Sequence, residues 1–337
     1  MLGTILLTAA NAVLPIVALI LLGYFLRSRN VMSDSFVKEG NRLGFRLFLP
    51  VMLFVNVYEI PSLANISWGI VIFCSSMVCI LFLLGMGIAA ITTKVPRQRG
   101  VILQCAFRSN FAIIGIPLSV ALGGQEALAL ASILAAFTVP LFNILAVLAL
   151  SIYSEDHKID WKKVIGSIIH NPLILGVVLG LGMLGLRGLQ ETVFGRVVFS
   201  IKRDLPFLFS ALNSVKAVTT PLALIVLGGG FTFSAVRGLL KQISVATVWR
   251  LVVVPVFSIG CAFLLSRIFG WFPTGTAEYA ALIAMFGSPV AVSSAVMARE
   301  MGADHQLATQ LVVWTSILSI ISIFGLVCFL MAVGLIV

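Results

Sequence analysis

Charge is scarce in this sequence. Twelve acidic and 22 basic side chains stand among 337 residues, a charged fraction of 10%, where a water-soluble domain carries roughly a quarter. Hydrophobic residues make up 60% and mean hydropathy is +1.15. A chain so poor in charge cannot dissolve as a globule in water, so its solvent is lipid. Histidine is nearly missing, with three in all. His157 and His170 fall in or beside a loop, His305 falls at the edge of an apolar run, and neither HExxH nor GxSxG occurs at membrane depth, which argues against a membrane-embedded hydrolase. The five cysteines (Cys74, Cys79, Cys105, Cys261, Cys328) form no CxxC pair and no Cys/His cluster. They read as small buried hydrophobes, and no metal or cofactor is implied.

The apolar residues are not dispersed. They come in long runs, unlike the alternating segments of about ten residues that build a membrane β-barrel. A helix satisfies every backbone hydrogen bond within its own segment, which hydrocarbon demands, and a spanning helix needs about 20 residues. Ten runs meet or approach that length: Ile5–Leu26, Phe36–Val57, Trp68–Ile91, Gly100–Leu122, Ala127–Tyr153, Val164–Leu184, Leu205–Gly230, Ile243–Phe269, Ala277–Ala298 and Gln306–Ile336. The first run has no basic n-region and no small-residue cleavage site, so it reads as a retained helix and not as a signal peptide.

The net charge of +10 has its explanation in the loops. Arg27, Arg29 and Lys38 lie in the first loop, Lys94, Arg97 and Arg99 in the third, Lys158, Lys162 and Lys163 in the fifth, Arg237 and Lys241 in the seventh. The loops around Pro61 and Gly124 carry Glu59 and Glu126 but no base. By the positive-inside rule the odd loops are cytoplasmic and both termini external. The sixth loop resists, with Arg187, Arg196, Lys202 and Arg203. It is also the longest connection and is expected to hold an amphipathic surface helix. No basic stripe interleaved with aromatics suggests nucleic acid.

Ten spans divide into two sets of five. An offset of 157 lays Pro15 on Pro172 and Gly23 on Gly180, and Pro50 corresponds to Pro221. An offset of 179 lays the fourth span on the ninth, matching Phe107 with Phe286, Ser109 with Ser288, Ala112 with Ala291 and Gly123 with Gly302. Five is odd, so the second set begins on the opposite side of the membrane. The expected organisation is an inverted repeat, residues 1–153 and 164–337, joined by a short cytoplasmic linker at 154–163.

The fourth and ninth spans carry helix breakers at mid-depth. The fourth reads Arg108-Ser109-Asn110-Phe111-Ala112-Ile113-Ile114-Gly115-Ile116-Pro117, the ninth Gly287-Ser288-Pro289-Val290-Ala291-Val292-Ser293-Ser294. Proline removes a donor and clashes with the preceding turn, and freed backbone groups survive in a bilayer only inside protein or along a watery cavity. Interrupted helices expose N-terminal N–H groups that attract anions.

These segments resemble the auxin efflux carrier family. Asn110-x-x-x-x-Gly115-Ile116-Pro117 followed by Gly123-Gly124 is similar to that family's fourth-helix motif, and Ser288-Pro289 followed by Ala298-Arg299-Glu300-Met301-Gly302 to its ninth. Arg42-Leu43-Gly44-Phe45-Arg46-Leu47-Phe48-Leu49-Pro50 resembles its second helix. Bacterial members include malate- and malonate-type permeases, and plant members export the carboxylate auxin. The resemblance implies an all-α transporter with a scaffold part and a transport part, whose fourth and ninth helices unwind and cross near the binding site. It implies that Asn110 contacts substrate and that Pro117 marks the first crossover. In the ninth span the plant crossover proline aligns with Ser294, so the break here is expected at Ser293-Ser294 or nearer Pro289.

Ionisable groups at membrane depth are functional candidates, and here they are basic: Arg46, Arg108, Lys216 and Arg250. Arg46 and Arg250 are expected to snorkel toward headgroups. Arg108 is either a snorkelling base or a site residue. Lys216, one turn from Asn213 in the seventh span, has no acid at similar depth and is expected to meet the charge of a bound anion. The substrate-binding set is then Arg108, Ser109, Asn110, Gly115, Pro117, Asn213, Lys216, Ser288, Pro289, Ser293 and Ser294. The expected function is a secondary permease for a small organic anion in a bacterial-type inner membrane, with lipid as its surroundings and a homodimer compatible. The rival transport reading is a sodium-coupled anion symporter, with Na⁺ near Asn110 and Ser293. A passive channel is disfavoured by the repeat.

Overall fold

The computed structural model describes residues 2–60, 67–154, 165–166, 169, 172–230, 238–271 and 274–336. The Pro61 loop, most of the 154–163 linker with its three lysines, His157, His170 and Arg237 lie outside the described residues.

Among the described residues every element is helical, apart from one isolated bridge. In chain order the helices are α1 (Leu2–Ser28), α2 (Asp34–Leu43), α3 (Leu49–Tyr58), α4 (Trp68–Thr92), α5 (Pro96–Phe107), α6 (Ile116–Ile152) and α7 (Pro172–Phe194). There follow α8 (Ile201–Asp204), α9 (Pro206–Gly229), α10 (Leu240–Val248), α11 (Val254–Phe269), α12 (Thr276–Leu282), α13 (Ser293–Glu300) and α14 (His305–Ala332). Six continuous helical stretches among these residues are long and apolar enough to cross a bilayer: Trp68–Thr92, Phe111–Ile152, Ile174–Phe194, Pro206–Gly229, Leu240–Phe269 and His305–Ala332. Phe111–Ile152 covers part of the fourth predicted run and all but the last residue of the fifth, with its helical path interrupted at Gly124, whose φ of 62° is open to glycine without a Cβ penalty.

Four π-helical turns share a cause. They are π1 (Gly44–Phe48), π2 (Phe111–Gly115), π3 (Trp249–Val253) and π4 (Ile283–Gly287), and each ends two residues before a proline: Pro50, Pro117, Pro255 and Pro289. A proline ring collides with the carbonyl four residues back and offers it no N–H. Widening the turn relieves both problems: the residue before the proline donates five residues back, Leu49 to Gly44, Ile116 to Phe111 and Val254 to Trp249. Around Pro289 even this is insufficient and the helix ends.

The helices pack as two groups. In the first, α1 lies on α9 and α3 on α7, with α2 against α9. In the second, α4, α5, α6 and α10–α14 surround the breaks, and the groups meet where α1 touches α6 and α14 and α3 touches α6. Glycine permits the tight pairs. A Cβ at Gly23 would fall on the Ile225 carbonyl and one at Gly228 on the Ile20 carbonyl. On the other pair, a Cβ at Gly176 would fall on the Pro50 carbonyl and one at Gly180 would come within 3.0 Å of the Phe54 carbonyl. The offsets that match Gly23 with Gly180 and Pro50 with Pro221 also match Phe54 with Ile225, so the two close contacts are the same contact made twice.

Several expectations change. Arg187 belongs to α7 and its guanidinium lies 5.7 Å from the centre of the Tyr58 ring. The sixth connection is therefore short, holding only the single turn α8 and no amphipathic surface helix, because α7 runs on to Phe194. There, hydrogen bonds from the Arg203 side chain and the Ser200 N–H hold the Asp204 carboxyl below its ordinary value. Of the cysteines, Cys74 and Cys105 are buried, Cys261 and Cys328 partly so, and Cys79 is exposed on the outer face of α4, where a thiol is apolar enough for lipid.

Candidate functional site at the helix crossover

Helix α5 stops at Phe107, and the chain runs extended through Arg108 (φ −83°, ψ 114°) before turning helical again at Phe111. Helix α12 with π4 stops at Gly287, and Ser288 is extended (φ −65°, ψ 149°), as a residue before proline prefers. The two extended pieces cross antiparallel, with Ser109 bridged to Val290 and the Asn110 N–H donating to the Pro289 carbonyl at 2.8 Å. Asn110 and Pro289 are matched by the offset of 179, so the two corresponding residues stand opposite each other. The reciprocal bond is impossible, since proline has no N–H. Close approach continues beyond the bridge, where a Cβ on Gly115 would come within 2.6 Å of the Ala284 carbonyl.

The crossover is buried. Arg108, Ser109, Asn110, Ser288 and Ser294 are each at most 5% exposed. The Ser288 hydroxyl donates to Ala284 O at 2.5 Å, and the Val290 N–H finds Thr315 Oγ1 at 3.2 Å. Three polar atoms at the breaks have no hydrogen-bond partner: Ser109 Oγ, Asn110 Nδ2 and Ser294 Oγ. A buried polar atom left so costs about 1–3 kcal/mol, and a ligand would relieve it. Both restarted helices, π2–α6 and α13, also lack a side-chain N-cap, which leaves their positive ends for an anion.

Two arginines stand here. Arg108 donates to Asn143 Oδ1 (2.7 Å), Ser293 Oγ (2.9 Å) and Met297 Sδ (2.8 Å). Arg250, fully buried on π3, gives two bonds to Ser288 O (2.8 and 3.0 Å), one to Met285 O (3.3 Å) and one to Phe107 O (3.5 Å). Among the described residues no carboxylate pairs with either. The snorkelling expected of Arg250 is therefore corrected, because the carbonyl ends of two interrupted helices solvate its charge inside the protein. Arg46 is exposed, as a snorkelling base would be.

Lys216 also differs from expectation. Its Nζ lies 2.6 Å from Glu59 Oε2, beyond the C-terminus of α3, with the two side chains 25% and 37% exposed. A half-exposed pair of this kind contributes about 0–1 kcal/mol. Lys216 already has its counter-ion and needs no bound anion. Asn213 spends its amide on the Phe209 carbonyl of its own helix at 3.1 Å.

Pro117 is the second residue of α6, eight residues past Ser109 of the bridge, where it shapes π2 and does not mark the crossing. The second break falls at Ser288–Val292, around Pro289, and Ser293 already opens α13. Sequence reasoning missed Asn143, whose own Nδ2 is unpartnered. A lone amide in the middle of an apolar run was the available signal.

A model of the membrane transport protein family matches residues 8–327. This chain belongs to that family, the auxin efflux carriers. Membership makes it an integral membrane transporter, in accord with the six long apolar helices among the described residues. The chain is also similar to an uncharacterized transporter of Methanothermobacter thermautotrophicus, 22% identical over 325 residues that cover 94% of this chain and 96% of that protein.

Proposed function

We propose that this auxin efflux carrier family member is a secondary transporter for a small organic anion, a carboxylate by class, working by alternating access around the crossover. One observation carries the reading. Unpartnered donors at Ser109, Asn110 and Ser294 gather where two helices restart without side-chain caps, beside buried arginines that pair with no described carboxylate. Such a site suits negative charge and no cation. The sodium-coupled variant loses ground for the same reason, since Ser293 Oγ lies 2.9 Å from the Arg108 guanidinium.

The doubled glycine contact and the facing of Asn110 with Pro289 support two inverted five-helix repeats, residues 1–153 and 164–337. An inverted repeat supplies the two arrangements, related by a pseudo-two-fold axis in the membrane plane, that alternating access needs. In this reading the protein lies in a bacterial-type inner membrane with both termini external. A reporter fused after Val337 is expected to read external, and a cytoplasmic reading there sinks the five-plus-five scheme. For the substrate, purified protein in liposomes should take up members of a panel of mono- and dicarboxylates with saturable kinetics. Uptake of amines or neutral solutes in place of every carboxylate would reverse the assignment of charge.

A further inference from the structure

Each interrupted helix has two kinds of end at the crossover. The C-terminal ends, of α5 and of π4, carry unpaired carbonyls and about half a negative charge each. The N-terminal ends, of π2 and α13, carry N–H groups and the opposite sign. An anion between them is attracted by one pair of ends and repelled by the other. Something must cancel the negative pair.

The side chains of π3 do this. Arg250 reaches Phe107 O at the end of α5, and Met285 O and Ser288 O at the end of π4. Its neighbour Trp249 donates Nε1–H to Ala106 O at 3.3 Å, and one turn earlier Ala246 O accepts from Cys105 Sγ at 3.8 Å. One full positive charge thus faces two half-charges of the opposite sign. The widened turn enforced by Pro255 carries both the tryptophan and the arginine.

We propose that Arg250 is the positioning residue of the crossover, a single guanidinium that ties the carbonyl ends of both broken helices together and cancels their field, so that only N–H ends act on a bound anion. The consequence for anion binding rests on the transport reading above; the tying of the two ends does not. Arg250 touches backbone, not substrate, and works through the geometry of Asn110 and Pro289.

The full-length protein in lipid nanodiscs provides the test, with Arg250→Lys, Arg250→Met and Trp249→Phe. Hydrogen–deuterium exchange at the Asn110 amide reads the bridge to Pro289 without any ligand. In Arg250→Met, which keeps bulk and loses charge, exchange there is expected to quicken about tenfold or more, while Arg250→Lys stays within about threefold of the parent. Malonate, as the carboxylate probe, is expected to bind at least ~30-fold more weakly to the Met variant than to the Lys variant. Unchanged exchange in a folded Arg250→Met overturns the proposal, as does a Lys variant that matches the Met variant in both readouts. If Arg250→Met is not recovered folded, Trp249→Phe decides: loss of one carbonyl bond should quicken Asn110 exchange about threefold, and parental exchange overturns the proposal. Should the parent bind no carboxylate at all, the transport reading falls while the exchange arm still decides Arg250.

Discussion

Replacing Asn110 with alanine should cut carboxylate uptake about 100-fold or more and leave a protein that folds at least as well as the parent. Both halves follow from one atom. Asn110 Nδ2 is buried without a partner, so the unliganded protein holds a polar group whose desolvation costs about 1–3 kcal/mol. Alanine removes that penalty. The asparagine side chain caps nothing, and its backbone N–H to Pro289 O persists in the variant, so the bridge is kept. What is lost is the donor that a carboxylate would use. Uptake in proteoliposomes and the thermal midpoint in detergent should therefore move in opposite directions. Parental uptake by Asn110→Ala would remove the amide from the site, and a falling midpoint would mean that the amide is structural.

Gly228→Ala should nearly abolish recovery of folded protein. A methyl group there lands on the Ile20 carbonyl of α1, and backbone cannot yield as a side chain does. Overpacking against flexible neighbours costs about 1–3 kcal/mol, and a rigid helix axis raises this. In lipid the α1–α9 pair has no hydrophobic drive and depends on close packing, so separating the axes removes most of what holds it. Gly182→Ala, with open space around its Cβ, is the matched control and should behave as the parent. Fluorescence-detected size exclusion separates the two outcomes. A monodisperse Gly228→Ala peak at parental height would mean that the two helices are not held as tightly as described.

Hydrocarbon made much of this fold legible in advance. It demands long apolar runs, so the helices fall on them, and it punishes unsatisfied backbone, so Ser288-Pro289 marks the second break, while the first, at Arg108–Asn110, carries no breaker of its own. Inside a span the reading weakens. A run of residues gives depth but not direction, and a buried arginine and a snorkelling one look alike, which is why Arg250 was assigned to the headgroups. Lys216 failed for a different reason. Its partner Glu59 lies at the edge of another run, and the pairing depends on how α9 stands against α3, which no single run encodes. Pro117 stood for the first crossover only by the family resemblance; a π turn absorbs that proline, and the chain crosses at Ser109 and Asn110 instead. Pro50, Pro117, Pro255 and Pro289 stand in the sequence, but the widened turn before each is a property of the three-dimensional path.

The position of Arg250 in the chain has a consequence for biogenesis. Two of the three carbonyl groups that surround it, Met285 and Ser288, are made later, the second 38 residues downstream. At about 5–20 residues per second of synthesis, an arginine in mid-span waits roughly 2–8 s with Phe107 as its sole eventual carbonyl partner already made. A base inside a spanning helix opposes insertion, by about 2.5–3.5 kcal/mol at its centre, so Leu240–Phe269 is expected to pause beside the insertion machinery until the segment carrying Pro289 is made. Truncation of the nascent chain before Met285 should therefore trap a species in which every earlier helix has entered the bilayer and this one remains at the translocon.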